Sequence, residues 1–315
     1  MPAPQGFPQV RHLSVESNDE GQRLDNFLLK HLPGVPKSHV YRLLRSGQVR
    51  VDGGRCKPDR RLRLGEAVRV PPVRVAERGE PVRPPDSVLD RLKSAIRLEN
   101  EDYLALDKPA GLAVHAGSGL DYGVIEAIRA WQAYDYVELC HRLDRDTSGV
   151  LLLAKSRKAL LRAQNAFRDS LAQKRYLALV IGAWNGGVRE VDSRLLKNFP
   201  QGGERMVLVD EHGKPSRTRF TPIRRFLDAT LCEVDIFSGR MHQIRVHANE
   251  VGQGVAGDRK YGFRDAQKPI REAGLKRLFL HARSLQLPAQ DGYPTLRVET
   301  PLPAELEAVL ERLPS

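Results

Sequence analysis

His141-Arg142-Leu143-Asp144-Arg145-Asp146-Thr147-Ser148-Gly149 leads directly into Val150-Leu151-Leu152-Leu153-Ala154. The apolar run reads as a buried strand, and the polar run ahead of it as a loop. A buried strand fixes the backbone, so the loop before it can present polar side chains to a cleft. Here the loop sets the carboxylate of Asp144 between the guanidinium groups of Arg142 and Arg145. Asp146, Thr147 and Ser148 suit a turn bonded to its own backbone. Taken alone, the run also fits a solvated surface turn with no chemistry, so the choice rests on the rest of the chain.

At 315 residues the chain is long enough for one large core and a small accessory domain. Lys and Arg total 51 against 39 Asp and Glu, a net charge of +12. The excess is concentrated, because Lys37 to Arg74 holds eleven basic and three acidic residues. Such density is the footprint of a module that binds a polyanion. A membrane surface attracts the same charge, but no segment is apolar enough to span a bilayer, and neither a signal-peptide core nor a lipidation signal is present. The chain is therefore expected to be soluble and cytoplasmic, with no membrane partner. Cys56, Cys140 and Cys232 are odd in number, far apart and without metal-ligand spacing, so they read as packed thiols.

Leu24, Phe27, Leu28 and Leu32 fall near helical spacing, and Pro33-Gly34 ends that helix. Ser38 is a candidate cap for a second helix with Val40, Tyr41, Leu43 and Leu44 on its apolar face, stopped by Gly47. Val49 and Val51 then alternate with Arg50, Asp52-Gly53-Gly54 is a hairpin turn, and Ala67-Val68-Arg69-Val70 is a further strand. The segment from Val73 to Asp86 is rich in Pro, Arg and Glu and reads as a linker. Beyond it, strands are expected at Tyr103 to Leu106, Arg175 to Ile181 and Leu231 to Phe237. A helix is expected after Ser156 with Leu160, Ala163, Phe167 and Leu171 inward.

Two small helices and a twisted hairpin, basic on one side, resemble the S4 RNA-binding domain. The residues that carry the likeness are Gly21-Gln22-Arg23-Leu24-Asp25, Lys37-Ser38, Arg42 to Gly47, Val49 to Gly53 and Lys57-Pro58. The resemblance implies RNA binding, with Arg42, Arg45, Arg50, Arg55 and Lys57 as phosphate contacts that position the protein without reading sequence.

Downstream, Ser238-Gly239-Arg240-Met241-His242-Gln243-Ile244-Arg245 precedes a helical pattern of Ile244, His247, Ala248 and Val251, so Arg245 sits near a helix start. His242 and His247 are five apart, which does not place two ligands on one helical face. Together with Lys108-Pro109-Ala110-Gly111, His141 through Gly149, Lys174-Arg175-Tyr176, Gly257-Asp258, Tyr261-Gly262 and Leu280-His281-Ala282, this segment resembles the RluA-type pseudouridine synthase family. Ser238 stands where that family usually has Thr, and Met241 where it has a small or polar residue.

The likeness implies an α+β chain: an N-terminal extension (1–19), a small S4 domain of two helices plus a twisted hairpin (20–72), a linker (73–86) and a catalytic domain (87–315). The catalytic domain would have a mixed, mainly antiparallel sheet flanked by helices. It implies an isomerase that detaches uracil from C1′ of a uridine in RNA, rotates it and rejoins it through C5. Asp144 would be the nucleophile, at C1′ or at C6. Arg245 would pair with it, Tyr176 would stack on the uracil and help remove the C5 proton, and Arg142 would help extrude the base. No cofactor and no metal are expected. The implied partner is large-subunit ribosomal RNA or an assembly intermediate, met by a monomer. A synthase acting on tRNA, a non-catalytic S4 protein docking on rRNA, and a hydrolase using Asp144 are the alternatives. The last would want a second carboxylate or a metal cluster. His141, His242, His247 and His281 read as hydrogen-bonded packing residues, Asp146 as a turn residue, and Lys108 and Asp258 as structural.

Overall fold

The computed structural model describes residues 6–7, 9–32, 34–74, 82–117, 120–198, 206–262, 267–290 and 292–314. They fall into two compact units, Met1–Arg83 with Ser156–Lys158, and Pro84–Lys155 with Ala159–Ser315.

The first unit runs β1 (Gly6–Phe7), β2 (Arg11–Ser14), α1 (Leu24–His31), α2 (Lys37–Arg45), β3 (Arg50–Val51), β4 (Gly54–Arg55), β5 (Ala67–Val70) and β6 (Val73–Arg74). Four strands form an antiparallel sheet in the order β2-β5-β3-β4. Leu24, Phe27 and Leu28 of α1 meet Val40, Leu43 and Leu44 of α2 over Val51, Val68 and Val70 in one buried cluster. Asp52 and Gly53 both have positive φ (46° and 78°), the backbone that a two-residue hairpin turn demands and that Gly supplies freely.

Three expectations change here. Residues 11–14, read as part of an extension, form β2 and pair with β5. Val73–Arg74, at the start of the expected linker, pairs with β1, and residues 75–81 of that linker lie outside the described residues. Helix α2 is preceded by Pro36 at its N-cap with no side-chain bond, so Ser38 lies inside the helix and caps nothing. Proline's fixed φ starts the turn instead.

The second unit continues with α3 (Asp86–Ser94), β7 (Ile96–Glu99), β8 (Tyr103–Lys108), α4 (Val124–Arg129), β9 (Glu138–Leu139), β10 (Ser148–Ala154) and α5 (Arg157–Arg168). Next come β11 (Gln173–Ile181), β12 (Arg189–Asn198), β13 (Met206–Val209), β14 (Lys214–Arg225), β15 (Ala229–Ile236) and α6 (Gln243–Glu250). The order ends with α7 (Lys268–Glu272), β16 (Leu280–Leu287), β17 (Leu296–Glu299) and α8 (Ala304–Arg312). Eleven of these strands make one sheet in the order β13-β12-β14-β15-β11-β16-β10-β8-β7, with β17 also on β16 and β9 on β10. The pairing of β10 with β16 is parallel, and the other pairings described in this sheet are antiparallel. The fold is thus the expected α+β arrangement with a mixed, mainly antiparallel sheet.

Strand β10 is buried at all seven positions. Leu151 and Leu153 pack on one face with Leu104, Leu106 and Ile128. Val150, Leu152 and Ala154 pack on the other with Ala159, Leu160 and Ala163 of α5. Two covered faces explain a run with no polar alternation. Leu171, expected inward on α5, lies beyond the helix end at Arg168 and is 51% exposed. At the mouth of β10, Gly149 has φ 109°, and a Cβ there would stand 2.2 Å from the carbonyl oxygen of Ala282 on β16. Glycine alone allows the strand to meet β16 at the point where the loop ends. Cys140 and Cys232 are buried free thiols, Cys56 is half-buried, and no described helix is long and apolar enough to cross a membrane.

Candidate active site

The loop carrying Asp144 is pinned from both sides. His141 Nε2 accepts the N–H of Leu152 at 3.0 Å, which ties the loop back onto β10. The N–H of Thr147 donates to the carbonyl of Asp144 at 3.2 Å, making the turn. Gly111, after β8, donates its N–H to the Arg145 carbonyl at 2.9 Å and accepts from Arg145 Nε at 3.1 Å. Lys108, fully buried at the end of β8, donates from Nζ to the carbonyls of Pro109, Leu112 and Arg145 at 2.8, 2.9 and 3.0 Å. Burial pushes its pKa down to about 7, against the pull of Asp146 and Asp144. Three carbonyl acceptors match the three N–H bonds of an ammonium, so Lys108 works as a staple beneath the loop. Lys108→Met removes the donor from the Pro109 and Leu112 carbonyls, while the Arg145 carbonyl keeps the Gly111 N–H, at about 1–3 kcal/mol for each acceptor that water does not reach. The variant is therefore expected to unfold at clearly lower urea concentration than the parent, and an unchanged midpoint would show the staple to be dispensable.

The opposite wall is built by the start of α6. Gln243 accepts from Ser238 Oγ and the N–H of Arg240, and donates to the Arg217 carbonyl and Thr218 Oγ1, which locks the helix start onto β14. Lys174 on β11 holds the Ser238 carbonyl at 3.0 Å. Two residues into the helix, Arg245 forks onto Asp258, with Nε to Oδ2 and Nη2 to Oδ1 both at 2.7 Å. Its remaining nitrogen, Nη1, stands 3.5 Å from Asp144 Oδ2. Arg245 thus faces Asp144, but its short bonds go to Asp258, whose side chain is fully buried and also accepts the N–H groups of Lys260 and Tyr261. Asp258 was legible only as part of a motif. Its place as the carboxylate that orients Arg245 comes from the structure.

Asp144, its side chain 20% exposed, lies in a cavity lined also by Arg142, Leu143, Tyr176, Ile236, Met241 and Leu280. Tyr176 enters at an irregularity in the pairing of β11 with β16, between Arg175 and Tyr176. Bulges of this kind re-aim a side chain beside active sites. Burial and the nearby Asp144 carboxylate push the Tyr176 phenol well above its ordinary pKa, so it stays protonated at neutral pH. Very little phenolate is therefore available there to take a proton. Arg142 is exposed at the rim, and an adjoining cleft shares Arg142, Asp144, His242 and Arg245 and adds Arg145, Arg259, Lys276 and Arg277. Positive walls around a carboxylate fit a polyanionic substrate.

Three histidines are packing groups. His141 is pushed down to about 3 and His247 and His281 to about 4, all chiefly by burial. His247 bonds Ser193, Ser216 and Thr218, while His281 bonds Ser148 and Thr300. His242 differs, because it bonds Tyr261 through Nδ1 while Nε2 lies 3.8 Å from Asp144 Oδ2.

Residues 102–250 match the RNA pseudouridylate synthase family, and residues 22–68 match the S4 domain. The chain is 46% identical over 306 residues to ribosomal large subunit pseudouridine synthase C of Haemophilus influenzae, covering 96% of this chain and 95% of that one. It is 47% identical over 310 residues to the protein of the same name from Escherichia coli strain K12, covering 97% of each. The chain belongs to the pseudouridine synthase family. The solved human RNA pseudouridylate synthase domain containing 4 shares its fold, with a TM-score of 0.60 at 23% identity over 73% of this chain and 98% of that one. As a pseudouridine synthase the protein is an isomerase acting on RNA.

In the S4 unit of this synthase, Arg42 and Arg45 lie in the last turn of α2, Arg50 and Arg55 on the hairpin and Lys57 just after it, all exposed. Other bases of the same stretch serve the fold: Arg60 pairs with Glu66, Arg61 donates to the Gly21 carbonyl and Arg69 to that of Gln48. The Arg55 side chain crosses Gly47, where a Cβ would stand 2.4 Å from its Nε. Arg42, Arg45 and Lys57 have no ion pair among the described residues, so their charge is open to a ligand.

Proposed function

We propose that the protein converts uridine to pseudouridine in large-subunit (23S) ribosomal RNA, with Asp144 as the nucleophile. The observation that carries the chemical assignment is Asp144 held between Arg245 and the ring of Tyr176 in a cavity with cationic walls. The target RNA is supported by near-full-length similarity to proteins named for the large ribosomal subunit. In the reaction the N1–C1′ bond breaks and a C1′–C5 bond forms, C5 loses its proton and N1 gains one. Atoms and electrons balance within the nucleoside. Asp144 Oδ attacks at C1′ or C6, Arg245 orients the carboxylate, Tyr176 stacks on the base, and Arg142 at the rim helps draw the nucleotide out of its helix. Mapping pseudouridines in 23S rRNA with and without the protein tests the reading. An unchanged map, with a site lost in tRNA instead, overturns the choice of target.

Anchoring falls to the S4 face. Each phosphate contact contributes roughly 0.7 to 0.9 to the slope of log affinity against log salt. Replacing Arg42, Arg45, Arg50 and Lys57 together by Gln is therefore expected to flatten that slope by about 2 to 4. The single-turnover rate at saturating RNA should change little. Unaltered affinity and slope in the folded variant would mean that this face is merely solvated.

A further inference from the structure

The state of His242 is set by two hydrogen bonds at the Tyr261 hydroxyl, one accepted and one donated. Tyr261 Oη accepts the N–H of Val207 at 2.9 Å and lies 2.8 Å from His242 Nδ1. With the backbone donor on that oxygen, the phenol's own proton is directed to Nδ1, so Nδ1 accepts and the imidazole proton sits on Nε2. Burial holds His242 below the ordinary imidazole range, with Asp144 and Asp258 pulling upward and Arg245 and Lys260 pulling downward. The ring is thus neutral at pH 7, with Nε2–H aimed at Asp144.

The backbone supports the same reading. His242 has φ 55° and ψ 19°, a left-handed conformation that is uncommon outside Gly, although Asn, Asp and His adopt it more readily than other residues. It falls immediately before α6 and delivers the ring into the cavity that holds Asp144 and Tyr176. Backbone in this region persists where the surrounding structure enforces it. Both approaches to the carboxylate, from Arg245 Nη1 at 3.5 Å and from His242 Nε2 at 3.8 Å, converge on Oδ2. Among the described residues no hydrogen bond engages Oδ1.

We propose that Tyr261 and His242 form a positioning relay that donates a second hydrogen bond to Asp144 Oδ2, so that Arg245 and His242 together hold one carboxylate oxygen and present Oδ1 to the nucleotide. At 3.8 Å the His242 contact stops short of a hydrogen bond. Catalytic contacts are commonly long in the free enzyme and tighten around substrate. The inference rests on Asp144 as nucleophile, and its test is arranged to fail separately.

His242→Ala is expected to lower the single-turnover rate on a 23S rRNA fragment about 10- to 100-fold, the loss of one charge-assisted hydrogen bond in the transition state. RNA affinity should stay within about threefold, because the bond acts on Asp144 and not on the ligand. Gln carries its amide nitrogen to the Nε2 position and should restore most of the rate. Asn reaches only the Nδ1 position, keeps the bond to Tyr261 and tolerates left-handed backbone best, so it should not restore the rate. Tyr261→Phe keeps the ring 5.1 Å from the Arg245 guanidinium and removes only the hydroxyl; its rate should fall about 3- to 10-fold as the tautomer is released. Rescue by Asn and not by Gln, or full activity in a folded His242→Ala protein, overturns the relay. If the Ala variant does not fold, the comparison of Gln with Asn decides. An active Asp144→Asn protein sinks the nucleophile assignment instead, whereas an inactive one beside a fully active His242→Ala sinks the relay alone.

Discussion

Asp144→Asn is expected to abolish pseudouridine formation while RNA affinity stays within about tenfold, or ~1.4 kcal/mol. The substitution is nearly isosteric. Its amide oxygen still meets Arg245 Nη1, and the loop's own bonds to Lys108, Gly111 and Leu152 use main-chain groups or other side chains, so they are untouched. On the proposed assignment the nucleophilic oxygen disappears, and because removing the covalent nucleophile of a hydrolase costs about 10⁶-fold in rate, a loss of at least about 10⁴-fold is expected here. Tritium release from C5-labelled uridine in RNA, followed under single-turnover conditions, reads the loss directly. Asp146→Asn is the matched control, because Asp146 is exposed, two residues away in the same turn. It should retain activity within about threefold, since exposed turn residues seldom contribute more than ~0.5 kcal/mol. Easily measured turnover in the Asp144→Asn protein would assign the chemistry to another group.

The parts of this architecture that were legible in sequence are those where local pattern and tertiary packing agree. The apolar run of β10 is unbroken because helices and strands cover both its faces, and Asp52-Gly53 forms the hairpin turn because both residues must adopt positive φ. Strand β2 was not legible: Arg11–Ser14 offers a single apolar residue, and its pairing with β5 is what makes it a strand. The site shows the same division. Asp144, Tyr176 and Arg245 were identified through motif likeness, but a string of letters carries no side-chain direction. The fork of Arg245 onto Asp258, thirteen positions on, and its longer reach to Asp144, 101 positions back, are set by where α6 docks. His242 read as one packing histidine among four, and its left-handed backbone, the hydroxyl of Tyr261 and its approach to Asp144 separate it from the other three.

Arg245→Lys is expected to cut the single-turnover rate about 100-fold, or ~2.7 kcal/mol, although the charge is preserved. A guanidinium divides its three nitrogens between Asp258 and Asp144, whereas one ammonium has to favour one carboxylate. The fully buried Asp258 takes it, and Asp144 loses its fixed orientation. Asp258→Asn separates orientation from stability. It leaves Arg245, only 11% exposed, without its buried counter-charge, and breaking such a pair destabilises by about 3–5 kcal/mol. Burial alone would raise the pKa of Asp258, but the Arg245 fork and the N–H groups of Lys260 and Tyr261 bring it below the ordinary carboxylate value. A carboxyl depressed in the folded state contributes stability above its unfolded pKa of about 3.9, and that contribution is lost as pH falls through the lower, folded value. Urea denaturation at a series of pH values should therefore show the parent losing stability on the acid side of about pH 4 more steeply than Asp258→Asn. The Arg245→Lys protein should keep most of that acid limb, because a cation still faces Asp258. Full activity in Arg245→Lys would show that the Arg245–Asp258 fork does not orient Asp144, and an acid limb unaltered in Asp258→Asn would show that it does not hold this wall of the site.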